Sequence, residues 1–379
     1  MQYRKFGKLD WQASALGFGA MRLPVIGDDP AQIDEPKAIE MIRYAIDHGV
    51  NYVDTAYPYH GGQGEVVVGQ ALQDGYRGKV KLATKLPCWL VETPADFDRL
   101  LHEQFEKLQT EHVDFYLLHA LWRDRWERMK AMDVFAWAEK ALADGRIGHL
   151  GFSFHGTLPL FKEVIDAYDW TMCQIQYNLL NEDVQAGTEG LAYAAERGVA
   201  VVIMEPLLGG ALADPPDAVK AVWDAANADP FDVALRWLWD KPQISVVLSG
   251  MSAPEHVREN LESAERSGVG ALADEERELV ARVQSAYSEL DSIPCTKCAY
   301  CMPCPNGVAI PRNFELYNQA TVYGNEDLAG SLYNYHMPEA ERAGACIACR
   351  ECEEKCPQQL EISALLMEVH EKLVIEENA

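Results

Sequence analysis

The chain has 379 residues, with 33 Lys and Arg against 59 Asp and Glu, for a formal net charge of −26. That length holds one barrel-sized core of roughly 250 residues plus a second, smaller domain, and the acidic field disfavours nucleic acid and anionic membrane surfaces as partners. No apolar run approaches the roughly 20 residues that span a bilayer, and the opening MQYRKFGKLDWQASALGFG has no apolar signal core, so the expected location is the cytoplasm.

From residue 14 to about 264, short apolar or β-branched runs alternate with amphipathic stretches of helical period, the pattern of repeated β-α units on a parallel sheet. Eight strands are expected, at Leu16 to Ala20, Tyr52 to Ala56, Val80 to Leu86, His112 to His119, His149 to Phe154, Cys173 to Asn178, Val199 to Glu205 and Ile244 to Met251. Between the first two, Ala38, Met41, Ile42, Ala45 and Ile46 keep one helical face, with Pro36 at the start and Gly49 at the end. Thr93-Pro94-Ala95-Asp96 predicts a hydroxyl-capped start for the helix bearing Phe97, Leu101, Phe105 and Leu108, and Ser252 with Glu255 predicts a capping box after the eighth strand. A doubly wound open sheet is the competing architecture. No G-x-G-x-x-G follows the first strand, and eight consecutive units favour closure, so the expected fold is α/β, a (β/α)8 TIM barrel.

Asp54, Lys85 and His119 stand at or near the C-terminal ends of successive predicted strands, and Tyr59 lies in the loop beyond Asp54. In such barrels that rim carries the chemistry. A strand-end Asp, a loop Tyr or a Lys alone is ordinarily structural; four such groups at consecutive strand ends point to a site. Tyr57 reads as packing, Trp89 and Trp122 as loop residues that either wall a pocket or simply pack, and Cys88 and Cys173 as small buried apolar groups.

Residues 271 to 290 form a charged amphipathic helix that leaves the barrel, and Asp291-Ser292-Ile293-Pro294 opens a domain of residues 291 to 379. It carries Cys295-x2-Cys298-x2-Cys301-x2-Cys304-Pro305 and Cys346-x2-Cys349-x2-Cys352-x3-Cys356-Pro357. Disulfides are poorly suited to a long chain with clustered cysteines. Two tetrahedral zinc sites are the alternative, but zinc sites favour two pairs across a longer loop, whereas here four thiolates crowd together. Two [4Fe-4S] clusters fit better. The fourth Cys of such a run often ligates the other cluster, which would give Cys295, Cys298, Cys301 and Cys356 to one and Cys346, Cys349, Cys352 and Cys304 to the other. The helical patterns at Asn313 to Ala320 and Ile362 to Leu373 resemble the α-helical ferredoxins, so this domain is expected to be small and mainly α-helical; its first run departs in having x2 before the last Cys.

Asp54-Thr55-Ala56-x-x-Tyr59, Ala83-Thr84-Lys85, Tyr116-Leu117-Leu118-His119 and Gly151-Phe152-Ser153 resemble the motifs of the aldo/keto reductase superfamily over residues 1 to 270. The opening Tyr3-Arg4-x-Phe6-Gly7 and Leu16-Gly17-Phe18-Gly19 fit as well, and the whole chain resembles members with a C-terminal 4Fe-4S ferredoxin domain. The resemblance implies hydride transfer between a nicotinamide, NADH or NADPH, and a small-molecule carbonyl or alcohol. Tyr59 would be the acid, its phenolate stabilised by Lys85, with Asp54 behind the Lys and His119 orienting the carbonyl oxygen. It further implies nicotinamide contacts from Asp54, Ser153 and Gln174 over a floor of Gly19, Ala20 and Met21, phosphate at Gly250 and Ser252, and adenine at Glu259 and Asn260. In three places the chain departs from the pattern. Gly250 and His256 replace the usual basic clamp, Met204 replaces a stacking aromatic, and Phe154 follows Ser153 where Asn is usual, with His155 next in line to supply that contact.

Hydride chemistry moves two electrons and each cubane one, and no motif assigns a flavin that would convert between them. The leading reading is an NAD(P)-dependent oxidoreductase whose clusters exchange electrons with a ferredoxin or flavodoxin or stabilise a cap. The alternatives are an electron-transfer reductase delivering single electrons to a substrate or flavin in the barrel, and a non-enzymatic redox sensor.

Overall fold

The computed structural model describes residues 1–27, 29–290 and 292–374; Asp291, where the second domain is expected to open, and residues 375–379 lie outside them. Two compact units divide the chain. One takes Met1–Pro206 and Asp232–Ala273, the other Leu207–Phe231 and Asp274–Ala379. No helix among the described residues is long and apolar enough to cross a membrane.

The first unit is a closed, wholly parallel barrel of β3 (Leu16–Gly19), β4 (Tyr52–Asp54), β5 (Lys81–Leu86), β6 (Val113–Leu121), β7 (Ile147–Phe154), β8 (Met172–Gln176), β9 (Ala200–Met204) and β10 (Ile244–Ser249), with β10 pairing back to β3. All eight sit where the sequence pattern placed them. Strands covered on both faces read as near-continuous apolar runs, and the VDFYLLHAL of β6 is buried along its whole length. The helix Glu35–Asp47 buries Ala38, Met41, Ile42, Ala45 and Ile46, the face its period marks out.

A hairpin of β1 (Tyr3–Lys5) and β2 (Gln12–Ser14) precedes the barrel, and no strand was expected there. Between its strands, Phe6 packs on Phe115 and Tyr52, at 4.9 and 5.9 Å between ring centres, and joins the apolar plug formed by Leu117, Met172, Val202 and Val246. Gly7 makes the close approach possible: its φ is +54°, and a Cβ there would lie 2.5 Å from the Gly198 carbonyl oxygen.

Two expected caps take another form. The helix Ala95–Leu108 has no capping hydroxyl; instead the Asp96 carboxylate accepts from the Thr93 N–H at 2.8 Å and the Thr93 hydroxyl at 3.1 Å. A carboxylate accepts both donors better than a hydroxyl could. The helix Pro254–Glu265 starts after Ala253 with no side-chain cap, and Ser252 turns to His256 at 3.5 Å, so the Ser252–Glu255 capping box does not form.

Asp114 opens β6 almost fully buried, accepting from the Lys81 ammonium at 2.8 Å and the Leu82 N–H at 3.0 Å, with Arg77 at 2.8 Å. Burial pushes its pKa up, but those three partners more than offset it and hold it below the ordinary value. A depressed carboxyl adds stability above its unfolded pKa of about 4, and that stability disappears as pH falls through the folded value. Asp114→Asn is therefore expected to cost about 2 kcal/mol at neutral pH, shrinking as the medium is acidified, in unfolding midpoints measured against the parent chain.

In the second unit, the helices Ile310–Thr321, Glu326–Ser331 and Ile362–Leu373 surround a core of Val308, Phe314, Leu316, Tyr333, Leu366 and Val369, with Cys301 and Cys352 at its edge. Both helical patterns read from the sequence are present, and no strand occurs in this unit among the described residues. Helix Asp274–Ser288 is the charged helix expected after the barrel, and it packs on Asp217–Ala225. Buried Asn313 ties the unit together: its amide donates to Ala309 O at 2.9 Å and Glu341 O at 2.8 Å, and its oxygen accepts from the Ala343 N–H at 2.8 Å.

Candidate active site and cluster cradle

The stagger of the barrel brings the site together. Asp54 lies in register with Ala83, and two residues on is Lys85; Lys85 lies in register with Leu117, and two residues on is His119. A strand repeats its facing every second residue, so each step round the barrel climbs one inward position and the three side chains share one surface. The same climb leads from Leu117 across to Gly151, on to Ser153, and across to Gln174.

The Lys85 ammonium donates to Asp54 Oδ1 at 2.6 Å and to the Thr55 carbonyl at 2.8 Å, and lies 3.4 Å from the Tyr59 hydroxyl. Asp54 and Lys85 are buried, Tyr59 is partly exposed, and buried His119 meets the Tyr59 ring edge-on at 6.2 Å between centres. Burial presses Asp54 and Lys85 toward their neutral forms, and their contact works against it. Burial likewise holds His119 well below the usual imidazole value, with the charges of Lys85, Arg125 and His155 adding to it, so the ring is neutral and one nitrogen carries a proton to donate.

The pKa of Tyr59 is driven well above 10, first by burial and then by Asp54 and Glu205, with Arg22 pulling the other way. The Lys85 ammonium, 3.4 Å from the hydroxyl, is the nearest cation to it. The phenol is thus a fully protonated acid, with a cation placed to receive its phenolate.

Behind Lys85 lies a buried network that sequence reasoning missed. Glu65 Oε1 accepts from the Thr84 hydroxyl at 2.6 Å and the Gln104 amide at 2.6 Å; that amide also reaches the Lys85 carbonyl at 3.1 Å, and the Tyr116 hydroxyl donates to Gln104 Oε1 at 2.7 Å. Glu65 carries the one charge in the helix Gly64–Ala71, and a lone carboxylate among Val67, Val68 and Ala71 was the available signal. The network clamps the backbone of β5 at the residue that carries the ammonium.

Of the residues expected to meet a nucleotide, Gly19 ends β3, Ala20 and Met21 follow in a tight turn, and Met204 ends β9. Ser153 is buried and its hydroxyl oxygen accepts from the Ala120 N–H at 2.7 Å. Gly250 follows β10 with the Arg22 stem 3.2 Å from where its Cβ would be, Ser252 and Glu259 are exposed, and Asn260 is buried, donating to His256 O at 2.5 Å. Gln174 Oε1 and Asn260 Oδ1 are buried acceptors that lack a hydrogen-bond partner among the described residues. A carboxamide and an exocyclic amine would satisfy them, so the residues present fit a nicotinamide nucleotide.

Cysteines of the two runs come together in the second unit. Cys301 feels the charges of Cys298, Cys295 and Cys356, and these four line one hollow together with Phe314, Ile310 and Ile362. Cys352 feels Cys346 and, from the other run, Cys304. The runs share one backbone shape: Lys297 and Ala299 in the first, and Ala348 and Arg350 in the second, occupy matching places at φ of 55°, 60°, 55° and 63°. Left-handed conformations at residues other than Gly cost about 1–2 kcal/mol each and turn successive N–H groups inward. One of them, Ala348 N–H, donates to Cys346 Sγ at 3.4 Å. Zinc needs all its sulfurs about 2.3 Å from one centre, whereas a cubane gives each thiolate its own iron. The cradle suits the cubane.

Comparison with known proteins agrees. The aldo/keto reductase family model matches residues 15–269, and that of a 4Fe-4S dicluster domain matches residues 294–360. An uncharacterized oxidoreductase of Schizosaccharomyces pombe is 27% identical over 282 residues, covering 70% of this chain and 88% of its own length. The holo form of an aldo-keto reductase from Bacillus halodurans matches with a TM-score of 0.63 at 25% identity, over 75% of this chain and 96% of that one. An aldo/keto reductase from Klebsiella pneumoniae in complex with NADP and acetate has the same barrel, with a TM-score of 0.61 at 24% identity over 74% and 95% of the two chains. This chain therefore belongs to the aldo/keto reductase family and is an oxidoreductase of that type carrying a C-terminal 4Fe-4S domain.

Proposed function

We propose that the chain reduces a small-molecule carbonyl to its alcohol, or runs the reverse, using a nicotinamide nucleotide, and holds two [4Fe-4S] clusters that exchange electrons with a ferredoxin or flavodoxin in the cytoplasm. The observation that carries this is the chain Asp54–Lys85–Tyr59, at 2.6 and 3.4 Å, beside a neutral His119. A bound nicotinamide supplies the hydride. Tyr59 gives its proton to the carbonyl oxygen, Lys85 stabilises the phenolate left behind, Asp54 fixes the ammonium, and His119 donates to the same oxygen as negative charge develops on it. Ser153 and Gln174 would hold the carboxamide over Gly19, Ala20 and Met21, with Met204 at the ring; Gly250 and Ser252 would meet phosphate, and Glu259 and Asn260 adenine. Cys295, Cys298, Cys301 and Cys356 would ligate one cluster, and Cys346, Cys349, Cys352 and Cys304 the other. By sequence we divide the chain into a barrel of residues 1–270, a connecting helix in 271–290 and the cluster domain in 291–379, with residues 207–231 of the first segment grouping with the unit of the cluster domain. Cys349 is exposed, which suits electron exchange at the surface.

Met204 in place of the stacking aromatic, and Gly250 in place of a basic residue, favour a second reading in which the clusters deliver single electrons and the nucleotide is dispensable. Anaerobic titration of the cluster-loaded protein with NADH and NADPH, followed by EPR and product analysis, separates the two. Nucleotide consumed mole for mole with alcohol is the expected result. Reduction of the carbonyl by dithionite-reduced clusters, without nucleotide, would overturn it.

A further inference from the structure

We propose that Glu65 is a positioning residue of the reaction proposed above: its buried carboxylate, tied to β5 through Thr84 and Gln104, is a second anion that keeps Lys85 in the charged form that Tyr59 requires. Glu65 is fully buried on the helix Gly64–Ala71, and its Oε1 accepts from the Thr84 hydroxyl and the Gln104 amide, both at 2.6 Å. Its Oε2 faces the Lys107 ammonium at 3.6 Å. Two donors and a cation around one group are the setting of an ionised carboxylate. Burial raises its pKa, and these same three partners oppose the rise. The Gln104 amide also reaches the Lys85 carbonyl at 3.1 Å, so one side chain holds both the anion and the backbone that carries the ammonium.

Asp54 alone leaves that charge insecure. Burial presses Lys85 and Asp54 alike toward neutrality, and a proton passing from the ammonium to the carboxylate would leave an amine and an acid, with no cation to receive a phenolate. The charge of Glu65 is felt at Lys85 and opposes that loss. Lys85 has Asp54 and Tyr59 in contact, and its own charge reaches His119; around Glu65 stand Lys107, Tyr57 and Tyr116. Of these groups, Asp54 and Glu65 are the anions that favour the ammonium. The Lys107 side chain is 24% exposed, so it can turn to water when Glu65 is replaced by a neutral group of the same size.

Competitive acetylation of the cluster-loaded protein with acetic anhydride, read at Lys85 by mass spectrometry across pH, follows the free amine independently of turnover. Glu65→Gln keeps the size of the side chain and the acceptor for Thr84 and Gln104 but removes the charge. Lys85 labelling at mildly alkaline pH should then rise about threefold or more, and the alkaline fall in carbonyl reduction should move to lower pH with KM unchanged. Glu65→Asp keeps the charge on a shorter chain and should return both readouts toward the parent. A purely structural role predicts the reverse order, since Gln preserves the packing better than Asp does. Glu65→Gln combined with Lys107→Met, in which the amide no longer meets an ammonium, should show the same rise, and a cooperative thermal transition reports that each variant is folded. Lys85 labelling in Glu65→Gln equal to the parent's, or a Glu65→Asp chain no closer to the parent than Glu65→Gln, overturns the assignment. A rise in labelling in a protein whose parent chain reduces no carbonyl would support the role of Glu65 while counting against the reductase reading.

Discussion

Replacing Tyr59 with Phe is expected to lower carbonyl reduction about 10³-fold, within the range that a positioned acid contributes, while leaving the unfolding midpoint and nucleotide binding unchanged. The hydroxyl stands 3.4 Å from Lys85, and the ring, which packs edge-on against His119, is retained by Phe. Nothing buried loses a close partner. Lys85→Met should behave differently, because it strips Asp54 of its 2.6 Å partner and leaves a carboxylate buried beside an apolar chain. Breaking a buried pair from one side costs about 3–5 kcal/mol, so that variant should lose stability as well as rate. The pH profile discriminates further. Since burial and the charges of Asp54 and Glu205 hold the phenol protonated, reduction by the parent chain should show no fall attributable to Tyr59 through the neutral range. Retained turnover in Tyr59→Phe would remove the phenol from the mechanism.

Much of this site was legible before any coordinates because a barrel converts sequence position into place. Asp54, Lys85 and His119 lie at or near the ends of successive strands, and a constant climb of one inward position per strand leaves them little choice but to meet. The eight strands were legible for a related reason: a run such as AVVIM is apolar on both faces, and ISVVLS, though it carries two serines, is buried along its whole length, as strands between helices and barrel interior are. What escaped depends on contacts distant in sequence. The β1–β2 hairpin has three residues per strand, too few for a period-two signal, and only the bottom of the barrel explains Phe6. The caps at Thr93 and Ser252 were decided by which acceptor reached the donors first, Asp96 in one case and no side chain in the other. That burial would raise the Tyr59 phenol so far appears only in three dimensions. Residues 207–231 lie between barrel elements in sequence yet fold with the cysteine unit, a grouping no local pattern encodes.

The proposed crossing of cluster ligands makes the sharpest prediction for the second unit, because it reverses which pairs of substitutions are redundant. If Cys304 and Cys349 serve one cluster, Cys349→Ala alone and Cys304→Ala with Cys349→Ala should each lose the same half of the bound iron. Combining Cys304→Ala with Cys298→Ala should instead lose nearly all of it, since Cys298 belongs to the other set. Uncrossed runs predict the opposite, with the 298/304 pair redundant and the 304/349 pair additive. The structure favours crossing on geometry: Cys356 joins Cys295, Cys298 and Cys301 around one hollow, and Cys304 comes to Cys352 and Cys346. Crossing also has a mechanical consequence, because each cluster then ties residues near 300 to residues near 350. Folding of the unit becomes linked to assembly of both centres, as for other metal-held domains. Iron and sulfide content, with EPR of the reduced protein, measures the outcome, and full iron loss in the 304/349 pair with half retained in the 298/304 pair would assign each cluster to its own run.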